Sequence, residues 1–149
     1  MLLFPYYNAY GSSYKINKRF VNKYIPNAIK RIKINQKKIE NVFKTYLKKK
    51  YNIYDDCIYL DVNLLIFQLE MTSISSDIYP WAVNDNNVII ISDHDKMKRD
   101  ELITILVHEG LHNSILVKRN TRQSNKKLLS SEDEHKCMHI LGENSNDYC

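Results

Sequence analysis

Residues 98–117 read K-R-D-E-L-I-T-I-L-V-H-E-G-L-H-N-S-I-L-V, and this stretch decides the fold of the domain. Its apolar side chains fall on nearly every side of a helical wheel, which is typical of a helix buried all round. These positions are Leu102, Ile103, Ile105, Leu106, Val107, Leu111, Ile115, Leu116 and Val117. We therefore expect a central helix over residues 98–117.

Three polar side chains interrupt this apolar helix: His108, Glu109 and His112. Burying a neutral polar group without a partner costs about 2–7 kcal/mol, so these groups need partners. Residues four apart on a helix stand one above the other, so both histidines can reach one metal ion about 2.0–2.1 Å from each ring nitrogen. Glu109 would lie beside that ion, where a carboxylate can take a proton from a metal-bound water.

The sequence H-E-G-L-H matches H-E-x-x-H, and the chain here resembles the zincin metallopeptidases, whose zinc-binding motif this is. The uncharged neighbours Leu106, Val107, Asn113 and Ile115 agree with a zincin helix that runs through a core. The resemblance covers roughly residues 57–142. It implies a zinc cofactor, Glu109 as the catalytic residue and a peptide or protein substrate.

A catalytic zinc needs three protein ligands, so two histidines are not enough. Residues 131–141, S-E-D-E-H-K-C-M-H-I-L, predict a last helix that Ser130 or Ser131 caps and that Gly142 ends. Glu134 projects near the middle of its apolar face, at about 100° per residue. That apolar face consists of Cys137, Met138, Ile140 and Leu141, whereas Glu132 and His139 point to the opposite side.

We therefore predict His108, His112 and Glu134 as the metal ligands, with His135 as the second choice for the third position. Cys137 would give a softer site, more typical of structural zinc. Glu134 also suits the positive end of the helix dipole without any metal. A later glutamate ligand resembles the gluzincin branch, although the N-E-x-x-x-D pattern of that branch is missing.

The last helix is also similar to that of small metallopeptidases encoded by large DNA viruses, which share the pattern E-H-x-x-M-x-x-L-G. The matching residues are Glu134, His135, Met138, Leu141 and Gly142.

The other elements follow from periodicity and from turn residues. In chain order, the first prediction is an irregular segment over 1–26, in which residues 14–24 form a loop or a short helix. Pro26 is a boundary or a first-turn residue of an amphipathic helix over 27–50. A strand over 57–62, a strand or helix over 64–71 and a loop over 72–77 follow, and then a hairpin of strands 78–84 and 88–92 around Asp85, Asn86 and Asn87. The fold class is α+β: a minimal zincin-like domain spanning 1–149, with a small mixed sheet of three to four strands.

In zincins the sheet edge above the active site binds the substrate backbone as an added strand, and either strand of the hairpin can serve. Tyr79 and Trp81 are candidates for lining that cleft, or they pack at a strand end as aromatic residues often do. Asp93 and Asp95 flank a polar loop and are candidate caps of the central helix. His94, in the same loop, is more typical of an exposed histidine than of a ligand.

The net charge of +5 is unevenly distributed, because the first 50 residues carry thirteen Lys and Arg against the single acid Glu40. The basic face of the predicted N-terminal helix indicates contact with nucleic acid, or else a solvated surface in a lysine-rich chain. The bias towards Lys, Ile, Asn and Tyr is typical of AT-rich genomes, many large DNA viruses among them.

The cysteines are three in number and have no C-x-x-C spacing, which favours a reducing, intracellular location: the host cytoplasm, or the virion if the protein is viral. The sequence contains no run of eighteen apolar residues, so it predicts no membrane span. The apolar start of the chain lacks the basic segment of a signal peptide.

These patterns predict a zinc metallopeptidase. The alternative is a catalytically inactive zinc-binding or nucleic-acid-associated viral structural protein that acts through its basic N-terminal helix. A third interpretation joins the two, a protease recruited to nucleic acid as in the SprT-like enzymes. Those enzymes use a third histidine, which the choice of Glu134 disfavours.

Overall fold

A computed structural model describes residues 12–52, 58–78, 81–94, 96–117 and 130–141. This part of the chain is α+β, as predicted, with five helices and seven short strands. The elements are β1 (Ser13–Lys15), α1 (Lys18–Ile34), α2 (Gln36–Tyr51), β2 (Ile58–Leu60), α3 (Val62–Glu70), β3 (Ser73–Ser75), β4 (Ala82–Asp85), β5 (Val88–Ser92), β6 (Lys96–Lys98), α4 (Arg99–Leu111), β7 (Ile115–Val117) and α5 (Ser131–Ile140). The predictions for Tyr79, Asp95, Gly142 and residues 1–11 lie outside the described residues.

The strands form three small sheets. In the mixed three-stranded sheet, β5 lies in the centre, parallel to β3 on one side and antiparallel to β4 on the other. Two antiparallel pairs, β1 with β6 and β2 with β7, make up the rest of the described strands.

Two helices, α1 and α2, replace the single helix predicted over 27–50, and α1 begins within the segment 14–24 that was left open between loop and short helix. The prediction of a boundary or first-turn residue at Pro26 is wrong. Helix α1 passes through Pro26, which is exposed and whose missing N–H leaves one carbonyl without its helical partner. The break comes at Asn35, whose side-chain amide donates to the carbonyl of Arg31 at 2.8 Å. An asparagine side chain competes in this way with the regular helical bonds, so α2 starts afresh.

The segment after β2 is helical. Asp61 Oδ1 accepts a hydrogen bond from the backbone N–H of Leu64 at 3.0 Å and thereby caps α3. Of the two predictions for residues 64–71, strand or helix, the helix is therefore correct. The loop predicted over 72–77 contains β3, which pairs with β5 from Ser73 to Ser75. β3 is a strand because it pairs with β5, which lies elsewhere in the sequence, and the local composition of residues 73–75 does not predict a strand.

The predicted hairpin of β4 and β5 is confirmed, with a tighter turn. Asn86 and Asn87 form a two-residue turn with φ of 50° and 69°, conformations that asparagine tolerates better than most residues. Asp85 belongs to β4 and pairs with Val88.

Helix α4 is shorter than predicted at both ends. Glu101 accepts a hydrogen bond from the backbone N–H of Lys98, and β6 separates Asp93 from the helix, so Asp93 is not its cap. At the other end α4 stops at Leu111, Asn113 adopts a left-handed φ of 68°, and the chain reverses into β7. The last three apolar residues of the stretch, Ile115, Leu116 and Val117, therefore belong to β7, which pairs with β2. A paired strand, not a longer helix, accounts for this apolar run.

Every residue from Ile105 to Leu111 is buried, so the helix core agrees with the prediction. No described helix is long and apolar enough to cross a membrane.

Candidate metal centre

Helix α5 brings the C-terminal end of the chain against the end of α4. Ser130 Oγ accepts from the backbone N–H of Asp133 at 3.2 Å and caps the helix, as one of the two predicted serines. Glu134, Cys137, Met138 and Leu141 are buried, as the periodicity predicts. Ile140 is 62% exposed and does not belong to the buried face that was predicted.

Three histidine rings meet between these helices. His112 Nε2 lies 3.2 Å from His108 Nε2 and 3.0 Å from His135 Nε2. One ligand atom of each ring lies within 4.8 Å of the others. His108 and His112 are buried and His135 is half-buried, so the three nitrogens converge in a largely dry site.

The two distances from His112 Nε2 fit a tetrahedral metal. Ligand atoms about 2.05 Å from a zinc ion, at the corners of a tetrahedron, lie about 3.3 Å apart. A neutral imidazole with its proton on Nδ1 has one lone pair on Nε2 and accepts one good hydrogen bond. His112 Nε2 therefore cannot satisfy both neighbouring rings through hydrogen bonds, whereas one shared cation uses all three lone pairs.

Glu134 lies behind His112. Its Oε1 accepts from His112 Nδ1 at 2.9 Å, and its Oε2 accepts from the backbone N–H of Asn113 at 2.9 Å. The carboxylate is fully buried. This contact places the proton of His112 on Nδ1 and leaves Nε2 as a lone pair directed at the histidine cluster, the usual arrangement around a metal-ligating histidine.

The structure thus brings together His108, His112 and His135, the second choice for the third ligand, while both oxygens of Glu134 are engaged elsewhere. Helical periodicity ranked Glu134 first because it measures burial, and Glu134 is indeed the more buried of the two. Burial does not distinguish a ligand from the group that orients a ligand. An adjacent Glu-His pair on one helix offers a candidate for each of these two roles.

Glu109 is positioned beside the cluster, as the motif predicts. Its Oε1 lies 3.8 Å from His108 Nε2 and 4.0 Å from His112 Nε2. The side chain is 1% exposed, yet it lines a cleft of about 260 Å³ together with His112 and His135. A carboxylate oxygen at this distance is just beyond van der Waals contact with the nitrogens.

The electrostatic environment favours the neutral form of His108 and of His135. Burial, and then the neighbouring rings of His112 and His135, hold the pKa of His108 well below its usual value. Burial and His112 also lower the pKa of His135, against the opposing charge of Glu134. Neutral imidazoles are the form that binds a metal.

A polar network that sequence analysis missed holds the end of α4. Asn84 Nδ2 lies 2.7 Å from Gln68 Oε1, 2.7 Å from the carbonyl of Glu109 and 3.2 Å from the carbonyl of His112. Asn113 Nδ2 donates to Asn84 Oδ1 at 3.0 Å. These bonds satisfy carbonyls that the helix end leaves without partners, and they tie β4 to the histidine cluster.

Residues of β4 form one wall of the cleft, namely Ala82, Val83 and Asn84. Trp81 is half-buried and packs against the core, and it is not among the residues that line the cleft. His94 is exposed and is not part of the histidine cluster, in line with its interpretation as a loop histidine.

Comparisons of the chain with models of protein families, with curated proteins and with solved structures found no match.

Proposed function

We propose that the protein is a zincin-like zinc metallopeptidase in which His108, His112 and His135 hold the ion. The observation that carries this proposal is the convergence of three imidazole Nε2 atoms, 3.0 and 3.2 Å apart, beside the Glu109 carboxylate. Three protein nitrogens leave one position open for water or substrate, as catalytic zinc requires. A set of three histidines favours the SprT-like interpretation over the gluzincin one.

Zinc at this position would supply a Lewis acid that polarises a peptide carbonyl and acidifies a water molecule. Glu109 takes the proton of the attacking water and then delivers it to the leaving amine. Its burial beside the histidines keeps it within reach of both groups. Glu134 holds His112 in the tautomer and orientation that ligation needs.

The substrate backbone would bind along β4. In the described part of the chain β5 is paired on both sides, whereas β4 is paired with β5 alone and lines the cleft. An edge strand offers backbone N–H and carbonyl groups that pair with an extended peptide of any sequence. Of the two hairpin strands left open by the sequence, we therefore choose β4.

The test is zinc content by mass spectrometry together with cleavage of an unfolded protein such as casein. We expect one zinc per chain in the wild type and none in His108→Ala. Glu109→Gln should keep its zinc and lose activity by about 100-fold or more, because general base catalysis contributes about 10²–10⁴-fold. A wild type that never binds zinc, or a Glu109→Gln variant that cleaves normally, contradicts the proposal.

A second candidate function is nucleic-acid binding by α2. Five lysines of this helix are exposed, Lys37, Lys38, Lys48, Lys49 and Lys50, of which Lys50 also binds Asp133. Glu40 is the single acid of α1 and α2. Arg31 is half-buried, so it is a weaker contact than the sequence indicated. Clustered exposed lysines bind phosphates in a salt-dependent way.

For this second function the test compares two double variants by their affinity for duplex DNA over a range of salt. Lys37→Ala with Lys38→Ala should weaken binding and reduce the slope of log K against log salt by about 0.9 for each phosphate that the protein no longer neutralises. The control, Lys96→Ala with Lys136→Ala, removes the same charge from exposed positions elsewhere. If both double variants weaken DNA binding equally, the DNA is attracted by the overall charge of the protein and not by a binding surface on α2.

A further inference from the structure

Asp133 is a fully buried carboxylate in the first turn of α5, next to Glu134 and two residues before His135. Its Oδ1 accepts from Tyr46 Oη at 2.7 Å and from Lys50 Nζ at 2.6 Å. Its Oδ2 accepts from Tyr51 Oη at 2.7 Å. All three donors belong to the last turns of α2, so this one side chain joins α2 to the helix that carries His135.

The charge states suit the contact. Burial alone would raise the pKa of Asp133, but the hydrogen bonds from Lys50, Tyr46 and Tyr51 outweigh it and hold the pKa well below its usual range. The hydrogen bond to Asp133 raises the pKa of Tyr46 and that of Lys50. The carboxylate therefore stays ionised and its donors stay protonated at neutral pH, which gives charge-assisted hydrogen bonds.

Two side chains give α5 directional contacts: Asp133 binds donors on α2, and Glu134 binds His112 and Asn113. Residues 118–130 separate α5 from β7 in the sequence, and α5 contacts α2 and the core. Apolar packing of Cys137, Met138 and Leu141 holds the helix down but has little directionality. A rotation of α5 by about 20° would move an atom about 6 Å from the helix axis by about 2 Å.

A displacement of that size is far larger than the tolerance of about 0.2 Å for a metal–ligand distance. We propose that Asp133 is a positioning residue, which fixes the rotation of α5 against α2 and thereby sets His135 against His112. This inference rests on the proposed metal centre for its consequence. It gives the C-terminal end of α2 a role in the site that is independent of any nucleic-acid contact.

The main variant is Asp133→Asn, and the control is Ser130→Ala. The control removes the helix cap and costs about 1 kcal/mol of stability, but it leaves the carboxylate of Asp133 and its three donors in place. Asp133→Asn should weaken zinc affinity by about tenfold or more, as changes behind metal ligands usually do, and should alter the visible spectrum of the cobalt-substituted protein. Ser130→Ala should lower the unfolding midpoint and leave the zinc affinity and the cobalt spectrum unchanged.

A metal-free measurement separates this inference from the proposed function. The ring centroids of His112 and His135 lie 4.7 Å apart, which should give nuclear Overhauser effects between their ring protons in the metal-free wild type. These effects should be absent in Asp133→Asn and present in Ser130→Ala. If the wild type binds no zinc but this pattern holds, the metallopeptidase proposal fails and the positioning role of Asp133 stands.

The role is refuted if folded Asp133→Asn keeps both the nuclear Overhauser effects and the wild-type zinc affinity. If Asp133→Asn does not fold, Tyr51→Phe replaces it, since this variant removes only the donor to Oδ2. Weakened nuclear Overhauser effects in Tyr51→Phe support the positioning role, and unchanged ones overturn it.

Discussion

Replacing Glu134 by glutamine and His135 by alanine separates a metal ligand from the residue that orients one. Glu134→Gln keeps the shape of the side chain but turns one oxygen into an amide that faces a donor, either His112 Nδ1 or the N–H of Asn113. Loss of such a partner costs about 10–100-fold in metal affinity, or about 1.4–2.8 kcal/mol. His135→Ala removes a nitrogen that we assign to the ion itself.

The loss from His135→Ala can be scaled from structural zinc sites. Four ligands bind zinc with about 10–16 kcal/mol, which is about 3–4 kcal/mol per ligand and corresponds to about 10²–10³-fold in affinity. His135→Ala should therefore be the more damaging of the two variants. His139→Ala is the matched control, because His139 is an exposed histidine on the same helix.

The assay is competition for zinc with a chromogenic chelator at pH 7.5, with circular dichroism of each variant to confirm that it is folded. We expect the affinities to rank wild type equal to His139→Ala, then Glu134→Gln, then His135→Ala. If Glu134→Gln abolishes binding and His135→Ala binds as the wild type does, Glu134 is a direct ligand. The sequence prediction would then be right and our argument from the histidine cluster would be wrong.

Three further predictions concern the surroundings of the site. Asn84→Ala should lower the free energy of unfolding in urea by about 1–3 kcal/mol, because it leaves carbonyls at the end of α4 without a donor, and an unchanged value would mean that water replaces the amide. Gly110→Val should destabilise the protein by about 1–3 kcal/mol through overpacking, since a Cβ there already lies 3.3 Å from Leu69 Cδ2, whereas Gly110→Ala should stay near the wild type because its helix propensity offsets the close contact. Cys137 is fully buried, and burial raises the pKa of its thiol to about 12, so iodoacetamide at pH 8 should label it in urea but not in the native protein, as peptide mass mapping will reveal.

The sequence predictions were correct for elements that depend on strong local patterns. The apolar run around His108 predicted a buried helix, the Asn86-Asn87 pair predicted a hairpin, and Ser130 predicted a helix start. Each rests on physics confined to a few neighbouring residues: helical periodicity, tolerance of a left-handed backbone, and a side chain that caps a free N–H.

The errors arose where distant pairing competed with local preference. The apolar residues of β7 were predicted to continue α4, because a buried strand and a buried helix have the same composition over three residues. β3 was missed because β5 supplies its hydrogen bonds. The break between α1 and α2 at Asn35 was missed because the helical spacing of apolar residues continues almost unbroken across it.

The sequence by itself determined the α+β class, the buried helix, and the grouping of His108, Glu109 and His112, because these three residues lie within about one helical turn. It also narrowed the third group of the site to the adjacent pair Glu134 and His135. Only the tertiary structure showed how the two are placed, with Glu134 on His112 Nδ1 and His135 on the opposite ring nitrogen. That placement depends on the position of α5, which contacts α2 through Asp133, more than 80 residues away in sequence. Local periodicity describes which face of a helix is buried, but it carries no information about what that face meets.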